Sequence, residues 1–318
     1  MGPVLVFDGL NVFMRHYVVN PTVSGHGYQA GGVVGLLKNI RLLAERLSPS
    51  RIIIVWEGGG SPRKRAIFPD YKSGKKPIKL NRFYEDIPDS SRNRDHQLSL
   101  AIEALKCVPV NQVYVSDCEA DDVIGYVTRY MFPEQQVVVV SSDRDLYQLI
   151  GERVVQWSPG QKKLITQAHV REKFGVAPFN MTAVRTFVGD PSDNIDGIKG
   201  AGFATMVKRF ESLQGDNDVS VEEILAEAHE QVESGSRLKL FQNIVAGEDI
   251  VRRNWKLMNL DTNNLSADQI KKVKGAIESF EPVRNKFKLL KIFIREKLQQ
   301  FDVDSFFMSI NASVKKYE

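Results

Sequence analysis

Nine acidic residues stand at the ends of apolar runs along the first two thirds of the chain: Asp8, Glu57, Glu119, Asp121, Asp122, Asp143, Asp145, Asp190 and Asp193. Their settings read VLVFDGLN, IIIVWEGGG, CEADDVIGYV, VVVVSSDRDL and VGDPSDNIDGIKGAG, so each acid follows a strand-like segment or opens a helix-like one. Carboxylates gathered in one place repel one another unless a cation sits among them. An oxygen-only ligand set of this kind holds hard divalent ions, Mg2+ or Mn2+.

The elements that must bring these acids together are four short β-rich runs, Val4 to Phe7, Ile52 to Trp56, Val113 to Val115 and Val137 to Val140. They alternate with helical patterns at about Val33 to Leu47, Gln97 to Lys106 and Glu119 to Met131, the order of βαβ units. Strands apolar on both faces belong inside a parallel sheet covered by helices. The expected fold is therefore α/β, with a central, mostly parallel sheet. All strand C-termini of such a sheet share one edge, where ligands bind. Asp8, Glu57, Asp143 and Asp145 should meet there.

Each acidic cluster also has a purely structural reading. Glu119 and Asp122 are three apart and share a helix face, while Asp121 points about 100° away, so one turn could serve two ions. Ser116 could instead form a capping box with Glu119, which leaves Asp121 and Asp122 unexplained. Asp143 could be a helix N-cap with Asp145 in the first turn. A strand ending in DxD also resembles the nucleophile motif of haloacid-dehalogenase-like phosphatases. In GDPSDN, Pro191 fits a first helical position between Asp190 and Asp193. The glycines of GIKGAGFAT, Gly197, Gly200 and Gly202, would let backbone N–H groups approach a phosphate, with Lys199, Lys208 and Arg209 nearby.

Between the second and third strands, residues Gly58 to Asp95 depart from the sheet pattern. Three consecutive glycines and Pro62, Pro69, Pro77 and Pro88 accompany Arg63, Lys64, Arg65, Lys72, Lys75, Lys76, Lys79, Arg82, Arg92 and Arg94, interleaved with Phe68, Tyr71, Phe83 and Tyr84. Cations for phosphates and rings for bases are the chemistry of a single-strand channel. A solvated basic loop is the plainer alternative. The whole chain, 318 residues, carries a net charge of +4, which becomes +13 once the nine acids are neutralised, and this points to a polyanionic partner.

Two cysteines, Cys107 and Cys118, make neither a disulfide framework nor a zinc pattern and fit a reducing cytoplasm. The N-terminus lacks the pattern of a signal peptide, Val6 stands where a myristoylation signal needs Ser or Thr, and no apolar run is long enough to span a bilayer. From about Val221 onward the sequence reads as helices, as in VEEILAEAHEQV and QIKKVKGAIESF, with no chemical motif in the last hundred residues.

FDGLN, FPDYKSGK, CEADD, SSDRDLYQL and GDPSDNIDGIKGAGFAT, in that order over about residues 4 to 210, resemble the structure-specific 5′ nucleases: flap endonucleases, the 5′-nuclease domains of bacterial DNA polymerases, and phage 5′-exonuclease and ribonuclease H enzymes. The resemblance implies a PIN-like nuclease domain at 1–188 with a basic helical arch at about 58–96. A helical DNA-binding domain would follow at 189–318, with a helix-three-turn-helix at about 190–212. It implies two divalent ions, the first lined by Asp8, Glu57, Glu119 and Asp121, the second by Asp122, Asp143, Asp145, Asp190 and Asp193 or their outer shell, and a K+ ion at the helix-three-turn-helix. Asp8 and Asp145 would be catalytic, together with Lys72 and Lys75 at the scissile phosphate. Arg63, Lys64, Arg65, Tyr71, Lys76, Arg82, Tyr84, Gly197, Lys199, Gly200, Gly202 and Lys208 would contact DNA. Glu57 departs from the family's usual Asp.

The implied activity is metal-dependent 5′–3′ exonuclease and 5′-flap endonuclease cleavage at single-strand/duplex junctions in replication or repair, leaving a 5′-phosphate and a 3′-hydroxyl. The implied partners are DNA with a 5′ flap, nick or single-stranded 5′ end, RNA primers on DNA, and a single-strand-binding protein or clamp. The protein would act as a monomer in a bacterial cytoplasm, encoded by the host or a phage. Two readings compete: a non-catalytic junction-binding protein of the same fold, and the DxD phosphatase.

Overall fold

The computed structural model describes residues 2–74 and 91–314. Its first strand, β1 (Val4–Asp8), is buried along its whole length, and Asp8 at its end caps α1 (Gly9–Val19) by accepting the Asn11 N–H. There follow α2 (Gly31–Leu47), β2 (Arg51–Trp56), α3 (Pro62–Ile67), α4 (Ser91–Leu105), β3 (Asn111–Tyr114), α5 (Ala120–Tyr126), β4 (Val137–Val140), β5 (Val154–Ser158) and β6 (Lys163–Ile165). The remainder is helical: α6 (Gln167–Phe174), α7 (Met181–Val188), α8 (Phe203–Arg209), α9 (Val221–Glu233), α10 (Lys239–Ala246), α11 (Glu248–Met258), α12 (Ala267–Glu278), α13 (Lys286–Arg295) and α14 (Val303–Ser313).

The sheet order is β3-β2-β1-β4-β5-β6, parallel except for β6. From β1 the chain builds outward through β2 and β3, then returns to place β4 on the other side of β1. Adjacent loops leave the sheet in opposite directions at that point, which opens a crevice at the strand C-termini. The β5–β6 hairpin was not expected from sequence. β6 has three residues, too few for periodicity to register, and its lysine-bearing edge is protected from further pairing.

Alternation along the strands divides the core. Leu5, Phe7, Ile52, Ile54 and Trp56 pack under α1, α2 and α4, whereas Val4, Val6, Ile53, Val55 and Val113 pack under α5. A third cluster joins α6 to α11, through Phe187, Met206, Phe210, Ile224 and Phe241.

The expected division at residue 189 is corrected by where the last helices pack. Leu260, Leu265, Val273 and Ile277 join the core beneath α5, and Leu289, Phe293, Phe301, Phe306 and Ile310 join the one beneath α2. Only the part up to α11 forms the separate helical cluster. Burying a side chain such as Phe306 contributes about 1.5–3 kcal/mol, so the tail closes faces of the sheet unit that would otherwise be wet.

Candidate metal centre

At the crevice the acids meet in a cleft of about 360 Å3, lined by Asn11, Lys72, Asp121, Ser142, Asp143, Arg144, Asp145, Arg185, Asp190, Ser192 and Asp193. Asp8 lies beside it, within electrostatic reach of Asp121 and Asp143. One of its oxygens accepts the Asn11 N–H and the other accepts the buried Ser141 hydroxyl at 2.9 Å. Burial, with Asp143 and Glu57 nearby, pushes the Asp8 carboxyl up to about 7 despite those bonds. Asp121 is raised well above its ordinary value by the same desolvation and by Asp8 and Asp143.

Asp143 and Asp145 follow β4. Asp143 turns one oxygen back to the Asp145 N–H at 2.9 Å, which closes a local turn; the expected N-cap role is corrected, since the segment is a short 3-10 helix whose N-cap is Arg144 with no side-chain cap bond. Asp190 accepts the Ser192 N–H and hydroxyl with one oxygen, and its other oxygen accepts from Arg185. Asp145, Asp190 and Asp193 each offer an oxygen within 4.8 Å of the other two. Arg185, from the last turn of α7, donates to Asp145 at 2.7 Å and to Asp190 at 2.5 Å. Desolvation outweighs that arginine and raises Asp145 to about 6, with Asp143, Asp190 and Asp193 adding to the rise.

Glu119 lies at the side of this cleft and is the most heavily partnered of the nine. Lys64 donates to one oxygen at 2.7 Å, Lys72 to the other at 2.6 Å, and the Tyr71 hydroxyl donates at 2.9 Å. Burial alone would raise its pKa, but the two lysines hold it down to about 2. Lys72 reaches on toward Asp193, 3.6 Å away. Its backbone is left-handed, at φ 52°, an uncommon state for a side-chain-bearing residue. Docking holds it there: the Lys72 N–H donates to the Asp193 carbonyl, and Asn194 donates to the Asp70 carbonyl and the Ser73 hydroxyl.

Like Glu119, two more of the nine acids are taken up by bonds away from the cleft. Asp122 shares a helix face with Glu119, but that face is turned to the buried Lys64, 3.0 Å from Asp122, and to the Asn264 amide. Glu57 gives one oxygen to the Gly60 N–H and the other to the Ala120 N–H, so it caps the start of α5 beside Asp8. Ser116 plays no such part: the N-cap of α5 is Glu119, and its side chain makes no capping bond.

Six oxygen-bearing side chains thus converge at the sheet edge, Asp8, Asp121, Asp143, Asp145, Asp190 and Asp193. Four of them, Asp8, Asp121, Asp145 and Asp193, are pushed up by desolvation and by neighbouring carboxylates, and Lys72 and Arg185 balance the group from the rim. That donor set fits hard divalent ions. Residues 3–175 match the family model described as 5′-3′ exonuclease, N-terminal resolvase-like domain. The chain belongs to the 5′–3′ exonuclease family.

Relatives extend beyond the matched segment. A 5′-3′ exonuclease of Bacillus subtilis (strain 168) is 27% identical over 269 residues, covering 74% of this chain and 86% of the relative. The flap endonuclease Xni of Shewanella sp. (strain MR-4) is 27% identical over 275 residues, covering 83% and 92%. Among solved structures, the bacteriophage T5 D15 flap endonuclease in complex with DNA and metal ions aligns with a TM-score of 0.68 at 21% identity, over 86% of this chain and 98% of that one. At that identity the likeness speaks for the fold.

Around this exonuclease-family centre, the expected DNA contacts divide. Arg63, Arg65, Lys199, Gly200, Gly202 and Lys208 are exposed. Lys64 and Tyr71 are buried on Glu119, so the expectation that they face DNA is corrected. Phe68 packs beneath Arg253, whose guanidinium lies 4.2 Å from the ring centre. Gly197 is needed for packing: a Cβ there would stand 2.0 Å from the Val188 carbonyl oxygen. Lys75, Lys76, Arg82 and Tyr84 lie outside the described residues, as do residues 75–90 of the expected arch, while Arg92 and Arg94 fall within α4.

Arg185, Ser141 and Asn11 were missed by sequence reasoning. Asn11 accepts the Ser142 N–H and so ties the loop after β4 to α1. A lone arginine within the otherwise uncharged MTAVRTFV was the available signal for Arg185.

Proposed function

We propose that this chain is a Mg2+- or Mn2+-dependent 5′–3′ exonuclease and 5′-flap endonuclease acting on DNA, and on RNA primers paired to DNA, at single-strand/duplex junctions. The observation that carries the reading is the approach of Asp145, Asp190 and Asp193 to within 4.8 Å of one another, in one cleft with Asp121, Asp143 and Lys72. Asp145, Asp190 and Asp193 would hold one ion; Asp8, Asp121 and Asp143 would hold the other, with Glu57 reaching it through water. When bound, such ions supply an activated water and stabilise the leaving oxygen.

The chain's own groups supply the rest. Lys72, partly exposed at the rim, offsets negative charge that develops on the phosphate. Arg185 is placed to do the same from the far wall. Ser141 and Asn11 hold the Asp8 carboxylate in one orientation. The exposed turn at 197–202 and Lys199 and Lys208 on its flank suit the duplex backbone, and a K+ ion there follows from the family resemblance. A single-strand-binding protein or clamp is proposed as a partner, and the monomer as the working state. Among the described residues no helix is long and apolar enough to cross a membrane.

Incubating the purified protein with a labelled 5′-flap duplex should release short 5′ products with Mg2+ and none with EDTA. Undiminished cleavage by the double variant Asp8→Ala, Asp145→Ala would overturn the ligand assignment. Junction binding without cleavage under any divalent ion would favour the non-catalytic reading instead.

A further inference from the structure

Where β6 and α6 meet the 3-10 helix Asp145–Leu149, the chain leaves a pocket of about 320 Å3 that shares no lining residue with the metal cleft. Ile165, Val170 and Tyr147, all buried, give it an apolar wall. The Tyr147 ring meets Phe174 edge-on at 6.1 Å, and Phe174 in turn meets Phe203 at 5.3 Å. The Phe174 ring at the pocket is thus held between two others.

The polar groups of the lining are of two kinds. Burial lifts the Tyr147 phenol above its ordinary value, so it stays protonated, and its hydroxyl bonds the Gln161 side chain. His169 accepts the Thr166 N–H at Nδ1 in the capping box of α6, which leaves the proton of the neutral ring on Nε2 as a donor. Lys163 and Lys173 carry the charge: both are exposed, and neither makes an ion pair among the described residues. Lys173 holds its ammonium 5.4 Å from the Phe174 ring centre, so a cation and an aromatic face stand side by side. Glu172 is the single carboxylate of the lining, too few for a hard divalent ion.

A ligand that matches this lining brings an anion for the two ammonium groups, a flat ring for Phe174 and a hydrogen-bonding edge for Gln161. Inorganic phosphate would leave the apolar wall wet. A hydrocarbon would leave the lysines and Gln161 without partners. A nucleoside 5′-monophosphate supplies all three features at once, and the volume is that of a small-molecule site. Bases of any kind stack on aromatic faces.

We propose that this pocket binds a free nucleoside 5′-monophosphate, with the phosphate between Lys163 and Lys173, the base against Phe174 and its edge met by Gln161. The site goes beyond the nuclease reading, because it would fill with the metal centre empty. Its ligand is of the class that 5′–3′ exonuclease action releases. Tyr147 shares its 3-10 helix with Asp145, so a filled pocket borders the element that carries a candidate metal ligand.

The test is calorimetric titration of the full chain in EDTA with dAMP, deoxyadenosine and inorganic phosphate. Without divalent ions the carboxylates of the metal cleft repel phosphate, so binding there is suppressed. The protein should take up dAMP at one site per chain and more tightly than either fragment. Lys163→Ala combined with Lys173→Ala should weaken dAMP binding about tenfold, while deoxyadenosine binding and the melting temperature stay as in the wild type. Lys72→Ala, at the metal cleft, should bind dAMP as the wild type does. Phosphate binding as tight as that of dAMP overturns the proposal, because the base then contributes nothing. So does a loss of dAMP binding in Lys72→Ala but not in the double-lysine variant, which would put the phosphate in the metal cleft. Unchanged dAMP affinity in the double-lysine variant, with weaker binding of duplex DNA, overturns it as well and makes the two lysines contacts to the duplex backbone. No binding of millimolar dAMP to the wild type ends the proposal and leaves the nuclease reading, which flap cleavage tests, standing.

Discussion

Lys64 and Glu119 form an ion pair of 2.7 Å in which neither side chain keeps more than 5% of its surface exposed. The same ammonium also reaches Asp122, so one lysine neutralises two carboxylates from one helix turn. A buried charge with its partner removed is far more costly than the pair itself. This pairing gives the basic segment after β2 a structural duty in addition to any duty toward DNA.

Lys64→Ala should therefore destabilise the protein by about 3–5 kcal/mol, because Glu119 and Asp122 are left buried with one cation fewer. Urea unfolding followed by circular dichroism measures this. A loss below about 1 kcal/mol, the ordinary size of a surface pair, would show that Lys64 is solvated in solution.

Arg185 holds the place of a cation between Asp145 and Asp190. Arg185→Ala should lower the melting temperature of the metal-free protein, and millimolar Mn2+ should restore more of it than in the wild type. Calorimetric titration should show Mn2+ binding tighter by about tenfold, or about 1.4 kcal/mol, since a competitor for two ligands is gone. Weaker Mn2+ binding would instead make Arg185 a support that positions those aspartates.

The metal-free protein should lose stability as pH rises from about 4 through 7. Asp8 moves from an ordinary value of 3.8 to about 7 and Asp145 to about 6, so the folded state binds more protons than the unfolded one across that window. Glu119, held at about 2 against an ordinary 4.5, acts oppositely, and its contribution is lost as pH falls from 4.5 through 2. Divalent binding requires these carboxylates ionised and should strengthen from pH 5 to 8. Melting curves with and without Mg2+ should consequently diverge with pH; a constant gap would contradict the raised values.

Phe306→Ala should cost about 3–5 kcal/mol in the cooperative unfolding of the nuclease core, since Phe306 is fully buried in the cluster that includes β1, β2 and α2. Two separate transitions, with only the second shifted, would mean that the tail folds as its own unit.

Much of the centre is legible in the amino-acid sequence. VLVFD, IIIVW and VVVV are apolar on both faces over strand lengths, so a parallel sheet with its acids at one edge follows from local pattern alone. The spacing in CEADDV also correctly puts Glu119 and Asp122 on one face. Local pattern cannot say what a face meets, and that face meets Lys64 from an element some 55 residues earlier in the chain.

The chain's own sequence determined which residue types collect at the strand ends and that their charge calls for a divalent cation, because burial periodicity and carboxylate repulsion are local or summed properties. Tertiary structure alone decided which six of the nine carboxylates converge at the sheet edge, that Arg185 and Lys72 balance them, and that α12, α13 and α14 return to the sheet. Those outcomes depend on contacts between residues distant in sequence, where direction and distance, rather than composition, set the energy of each charge.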